Sequence, residues 1–162
     1  MMPELILRRA RPEDVPTLFE LIKALAEYEK LSDAVVGNVE LLHQHLFGDR
    51  PYVEAILAEL AGQVVGYALF FYSYSTFITK PGLFLEDLFV LPEYRGQGIG
   101  KSLLRELAKI ALAKDCGRME WTVLDWNAPA IAFYQQMGAK ILPEWQICRV
   151  TEEAIAKLVE NK

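Results

Sequence analysis

The sequence predicts a mixed α/β fold: a twisted, mostly antiparallel sheet of about six or seven strands, one parallel strand-helix-strand unit, and helices on the sheet faces. Three observations carry this prediction. Tyr52 to Leu60 and Val64 to Tyr74 are apolar runs joined through Ala61-Gly62-Gln63, the pattern of a β-hairpin. Leu83 to Leu124 reads as strand, glycine-rich turn, amphipathic helix and second apolar strand, the pattern of a parallel crossover. Val15, Leu18, Phe19, Ile22, Leu25 and Ala26 recur at helical spacing and form one apolar stripe.

In chain order, Leu5 to Arg9 is a first strand, and Pro12 stands in the first turn of a helix whose positive end Glu13 and Asp14 favour. That helix runs to about Tyr28, with Glu20, Lys23, Glu27 and Lys30 on its solvated side. A second helix spans Val39 to Phe47 and stops at Gly48. The second hairpin strand is rich in rings, with Tyr67, Phe70, Phe71, Tyr72, Tyr74 and Phe77 close together. Alternation divides them between the core and an aromatic wall on the opposite face. Lys80-Pro81-Gly82 turns the chain into the strand Leu83 to Val90. Asp115-Cys116-Gly117 closes the helix after the glycine turn, and Met119 to Leu124 is the parallel strand. Pro129 starts a short helix carrying Ile131, Phe133 and Tyr134, which Met137-Gly138-Ala139 stops. Ile141-Leu142 and Gln146 to Val150 read as closing strands, and Thr151 caps a final helix with Glu152 and Glu153 in its first turn.

With 162 residues, of which 52% are hydrophobic and 24% charged, the chain is expected to fold as one domain, residues 1–162, without repeats or low-complexity segments. The longest apolar runs are strand-sized, so a cytoplasmic protein without a membrane partner is expected. A net charge of −5 disfavours nucleic acid and leans towards a cationic partner. Cys116 and Cys148 stand alone, and His43 and His45 lie two apart, so neither a disulfide framework nor a metal site is indicated.

Chemistry concentrates between Leu83 and Leu112. Glu86 and Asp87 interrupt an apolar strand with two carboxylates that core packing would not select. Gly96, Gly98 and Gly100 then lead into Leu103, Leu104, Leu107, Ile110 and Ala111 at helical spacing. The unpaired N–H groups at such a helix start form an anion cradle, with Arg95 and Lys101 adding charge. The ending Gly98-Ile99-Gly100-Lys101-Ser102 imitates a nucleotide P-loop, but Arg95 occupies the position of its first glycine. A dinucleotide fingerprint fails as well, because Lys101 or Leu103 stands where its third glycine belongs. What remains is Arg-x-x-Gly-x-Gly, filled by Arg95, Gly98 and Gly100.

That pattern resembles the acyl-coenzyme A pyrophosphate loop of the Gcn5-related N-acetyltransferases (GNAT). A second pattern agrees: Asn127, Ala130, Phe133, Tyr134 and Gly138 match the asparagine, the phenylalanine-tyrosine pair on a short helix and the glycine that follow in this family. The likeness extends through most of the chain and is greatest to the spermidine/spermine and thialysine N-acetyltransferase branch, with YSYSTF, EYEKLSD and VLDWN leaning to the thialysine side.

The resemblance implies a GNAT fold and acetyl transfer from acetyl-CoA to a primary amine by direct attack in a ternary complex. Leu88, Phe89 and Val90 would pair with the cofactor's amide-bearing arm as an added strand, and Gln97 to Lys101 would offer backbone donors to the pyrophosphate. Arg95, Gly96, Gln97, Gly98, Ile99, Gly100, Lys101, Ser102, Asn127 and Phe133 complete the cofactor site. Tyr134, a phenol of ordinary pKa about 10, would protonate the departing thiolate. Glu86 is the expected base, because its apolar strand should desolvate it and raise its pKa. The alternative for Glu86 and Asp87 is an internal ion pair with Arg118 or Lys109. Asp87, Glu27, Glu29, Glu144 and Trp145 are the expected substrate-binding residues.

Spermidine/spermine enzymes resemble this chain around Tyr72 to Phe77 but carry an acidic residue where Ser75 stands and a tryptophan at Phe77. The loss of that carboxylate favours thialysine, a lysine-like amino acid, ornithine or a short diamine over a long polycation. Related amine acetyltransferases imply a homodimer. A non-catalytic coenzyme A binding domain, a protein-lysine acetyltransferase and a small P-loop phosphotransferase are the alternatives.

Overall fold

The computed structural model describes residues 3–160. They contain five strands, β1 (Leu5–Arg9), β2 (Glu54–Leu60), β3 (Gln63–Ser75), β4 (Lys80–Val90) and β5 (Arg118–Glu120). Five helices accompany them: α1 (Val15–Tyr28), α2 (Val39–Phe47), α3 (Ile99–Ala113), α4 (Ala128–Gln136) and α5 (Glu152–Glu160). The chain divides into two compact units, one up to Thr122 and one from Val123 onward.

The first unit holds the whole sheet, in the order β1-β2-β3-β4-β5. Neighbours run antiparallel as far as β4, and β4 and β5 are parallel, joined through α3 as the strand-helix-strand pattern predicts. On one face, Ala55, Leu57, Tyr67, Leu69 and Phe89 meet Val15, Leu18 and Leu21 of α1 and Leu46 of α2. Leu18 and Leu57 are completely buried, which stabilises by roughly 1.5–3 kcal/mol each. Against the other face packs α3, whose Leu103 and Leu107 are also completely buried. Asp14 fixes the start of α1: its carboxylate accepts from the Arg11 N–H at 2.7 Å and from the Arg8 guanidinium at 2.7 and 2.9 Å. The Arg8 partner holds the Asp14 carboxyl below its ordinary range.

The ladder between β3 and β4 contains one irregularity, and it falls on the carboxylates. Leu69 pairs with Asp87 and Phe70 with Leu85, so Glu86 is an extra residue, a β-bulge. The extra residue resets the alternation of β4. Leu83 and Leu85 before it, and Leu88 and Val90 after it, lie opposite Tyr72, Phe70, Ala68 and Gly66, whereas Asp87 and Phe89 lie opposite Leu69 and Tyr67. Asp87 therefore belongs to the face that packs on α1.

The second unit contains α4 and α5 and no strand among its described residues. This corrects two expectations. Ile141-Leu142 and Gln146 to Val150 are exposed and irregular, because an apolar run becomes a strand only where a partner strand takes its N–H and C=O groups. The strand expected over Met119 to Leu124 is shortened to Arg118–Glu120 for the same reason, pairing only with Gly82 to Phe84. The sheet consequently has five strands.

Candidate active site

The end of β4 leads through a short turn at Pro92–Tyr94 into the glycine loop. Gly96 has φ 78° and Gly98, the residue before α3, has φ 81°; both lie in the left-handed region that glycine adopts without strain. A Cβ at either position would meet nothing within 4 Å, so backbone conformation and not crowding requires glycine there. No side chain caps α3, so its first N–H groups have no capping acceptor. Ile99 is buried and anchors the helix start, while Lys101 is exposed beside it and Ser102 donates its N–H to the Gly98 carbonyl at 3.0 Å. The donor set fits an anion such as a pyrophosphate. Gly98→Ala is expected to lower stability by about 1–2 kcal/mol in thermal unfolding. It should weaken coenzyme A binding at least about tenfold by calorimetry, since relief of the strained left-handed backbone would shift the N–H groups at the helix start.

Arg95 stands just ahead of the loop glycines and stacks on two rings. Its guanidinium carbon lies 4.6 Å from the Tyr28 ring centroid and 5.3 Å from that of Phe89, and its Nε donates to the Val90 carbonyl at 2.9 Å. Stacking on two rings ties the last turn of α1 to the end of β4. Leu88 is half-buried and Phe89 belongs to the core.

The acidic pair is reordered. Glu86 is exposed, and the desolvation expected of it falls on Asp87. Burial pushes the Asp87 carboxyl up to about 6; the Tyr67 hydroxyl, donating to Oδ2 at 2.9 Å, opposes the rise, and the charges of Glu86 and Glu29 add to it. Tyr67 is completely buried, and burial together with the Asp87 charge pushes its phenol well above the ordinary value, so it remains a donor. Burial also raises Glu29, just past the end of α1. Arg118 and Lys109 do not pair with the bulge. Arg118 donates to the Ser75 hydroxyl and lies 4.0 Å from Glu120, and Lys109 lies 3.7 Å from Glu106.

Ser75 is thus buried under an arginine at the end of the hairpin, and Phe77 beyond it is almost fully exposed. Glu27 lies on the outer side of α1 in an open groove with Glu20, Lys23 and Ser32, and the acids that act electrostatically on Asp87 are Glu86 and Glu29. In the second unit Asn127 is buried and caps α4, accepting from the Ala130 N–H at 3.4 Å. The Phe133 and Tyr134 rings follow on α4, 5.5 Å apart and tilted. Glu144 and Trp145 lie on the exposed segment after α4. Sequence reasoning missed Tyr28 and Tyr67 as site residues; Tyr67 stood out only as one ring among many. Among the described residues no cluster of three metal-ligating groups occurs, and no helix is long and apolar enough to cross a membrane.

A mixed sheet with one parallel pair, an anion-accepting glycine loop opening the crossover helix and an acidic bulge just ahead of it define an acyltransferase of the acetyl-transferring type. The comparisons agree: residues 17–139 match the model of the acetyltransferase (GNAT) family, and the chain belongs to that family. It is 39% identical to the thialysine N-epsilon-acetyltransferase of Bos taurus, over 97% of this chain and 98% of the other. It is 33% identical to the L-ornithine N5-acetyltransferase NATA1 of Arabidopsis thaliana, over 92% and 85%. Among solved structures, an integron cassette protein from the mobile metagenome of V. cholerae superimposes with a TM-score of 0.80 at 25% identity, over 97% and 98% of the chains.

Proposed function

We propose that this protein transfers an acetyl group from acetyl-CoA to the primary amine of a small molecule carrying a second charged group, by direct attack within a ternary complex. Thialysine, a lysine-like amino acid, ornithine and short diamines are the preferred acceptors. The observation that carries this reading is the division of charge along β4. Asp87, Glu86 and Glu29, with the negative end of α1, form an anionic cluster, and the N–H groups of α3 follow after the Pro92–Tyr94 turn and the glycine loop. An ammonium is held on one side and a phosphate anion on the other. The named relatives act on amines of this kind.

Acetyl-CoA supplies an activated acyl carbonyl and a thiolate leaving group. Backbone donors from Gln97 to Lys101 are suited to its pyrophosphate, with Lys101 adding charge. The bulge carboxylates orient the acceptor ammonium, and one takes its proton, Glu86 being the solvent-facing choice that can act through a water. The amine then forms the C–N bond as the C–S bond breaks, and the Tyr134 hydroxyl gives its proton to the sulfur. Burial of Ser75 under Arg118, next to Lys80 in the ladder, puts cations where a polyamine would need a carboxylate. The reading includes a cytoplasmic homodimer.

Steady-state assays of thiol release over a panel of amines are the test. Thialysine, lysine and ornithine should exceed spermine in kcat/KM by at least about tenfold, a difference of 1.4 kcal/mol. Preference for spermine would overturn the substrate assignment, and acetyl-CoA binding without turnover of any amine would overturn the enzymatic reading.

A further inference from the structure

β3 keeps its alternation past the bulge, so Leu69, Phe71, Ser73 and Ser75 continue one face of the sheet, the face that carries Tyr67 and Asp87. Beyond Asp87 this face presents Phe71 stacked on Phe84 at 5.1 Å, both half-buried, and then Gly82 beside Ser73. Strand β5 adds Glu120 beside Phe84 and Arg118 beside Gly82. Gly82 gives the arginine its route. A Cβ there would lie 3.5 Å from Arg118 Cγ and 2.7 Å from Ser73 Oγ, so the arginine side chain crosses β4 on this face and donates through Nη2 to the Ser75 hydroxyl. Its Nη1 lies 4.0 Å from Glu120, too far for a hydrogen bond, and the two side chains are 43% and 42% exposed. Lys80, opposite Ser75, is engaged by Asp115 at 3.1 Å. Among the described residues Arg118 and Glu120 have no other charged partner.

We propose that Arg118 and Glu120 read the zwitterionic head of an amino-acid acceptor, Arg118 taking the α-carboxylate and Glu120 the α-ammonium, while the side-chain ammonium lies at the acidic bulge. This names the acceptor class of the site and rests on the amine acetyltransferase reading above. Length agrees with it. Leu69 and Ser73, the β3 partners of Asp87 and Gly82, are four residues apart, about 13 Å along the strand. The extended five-bond stem of a lysine-like acceptor covers about 6 Å, and one hydrogen bond at each end adds about 3 Å. Phe71 and Phe84 lie between, an apolar floor for that stem. Charge agrees as well. A loose, half-exposed ion pair contributes little by itself, so opening it to admit the opposite charges of an amino-acid head costs little, and the guanidinium then meets a carboxylate in a charge-assisted contact. A diamine brings Arg118 a second cation in place of that carboxylate, and like charges repel. Arg118 and Glu120 therefore set which amine is held, apart from the acetyl transfer itself.

The test compares acceptors that differ only in the carboxylate: lysine with cadaverine, and ornithine with putrescine. The full chain and its Arg118→Gln, Ser75→Asp and Glu120→Gln variants are assayed for thiol release with acetyl-CoA, and amine binding to the coenzyme A complex is measured by calorimetry. Wild type should favour lysine over cadaverine in kcat/KM by at least about tenfold, and ornithine over putrescine likewise. Arg118→Gln should erase that ratio, chiefly by raising KM for lysine. Ser75→Asp should erase it with the arginine still present, because the new carboxylate neutralises the guanidinium. Glu120→Gln should remove the preference for lysine over its α-N-acetyl derivative, which has no α-ammonium. A merely structural role would lower lysine and cadaverine in proportion and leave every ratio in place. Wild type that turns over cadaverine as well as lysine, or a ratio that survives in either Arg118→Gln or Ser75→Asp, overturns the assignment of the carboxylate. A Glu120→Gln variant that still rejects α-N-acetyl-lysine overturns that of the ammonium. If wild type acetylates no amine, the function fails, and the binding ratios still decide the inference.

Discussion

Replacing Tyr134 by phenylalanine should slow acetyl transfer by about a hundredfold or more while leaving the KM for the amine within about twofold. Without the phenol the departing sulfur must leave as a thiolate or draw its proton from water, and either route raises the barrier only after both substrates are bound. The substitution keeps the ring that packs beside Phe133, 5.5 Å away, so the α4 surface retains its shape. Stopped-time assays of thiol release at saturating acetyl-CoA give kcat and KM separately. An unchanged kcat would remove Tyr134 from the chemistry and return it to a packing role.

The second large effect concerns stability. Asp87→Asn should make the protein more stable at pH 8 and change its stability little at pH 4, close to the unfolded value. The native carboxyl titrates near 6 and an unfolded aspartate near 3.8, so the native state binds the proton more tightly. The stability this contributes is complete below the unfolded value and is lost as pH rises through the native one. The interval corresponds to at most about 3 kcal/mol, and partial exposure of the group reduces it. Asparagine carries no charge and can still accept from Tyr67. Thermal unfolding at the two pH values should therefore give a midpoint several degrees higher for the variant at pH 8, with nearly coincident curves at pH 4. Equal midpoints at pH 8 would mean that Asp87 is not desolvated in the native state.

Much of this arrangement was legible in the residues. β1 and α2 begin and end where periodicity and caps place them, and the glycine loop falls where spacing predicts, because these features are local. Three features were not legible, each for a non-local reason. The apolar residues between Ile141 and Val150 look like strands, but strand formation depends on a partner that composition cannot name. The stacking of Arg95 on Tyr28, distant in the chain, shows only in the fold. The carboxylates of the strand were recognised, but which one is buried depends on a one-residue bulge that shows only in the register with β3. The stop read at Asp115-Cys116-Gly117 is where α3 closes: Asp115 takes the left-handed conformation and the Cys116 N–H bonds to the Ala111 carbonyl at 2.9 Å.

The bulge also bears on how the chain can change in length. Of all residues in β4, Glu86 is the one whose loss leaves every other side chain on its own side of the pleat, with Leu85 and Asp87 becoming neighbours in an unbroken ladder. Removing Leu83 instead turns the start of the strand over, and removing Leu88 inverts its end, carrying Asp87 or its neighbours away from Tyr67. Insertions and deletions along this segment are therefore filtered by pleat parity, and a gap at Glu86 subtracts one carboxylate while preserving the frame that holds the other.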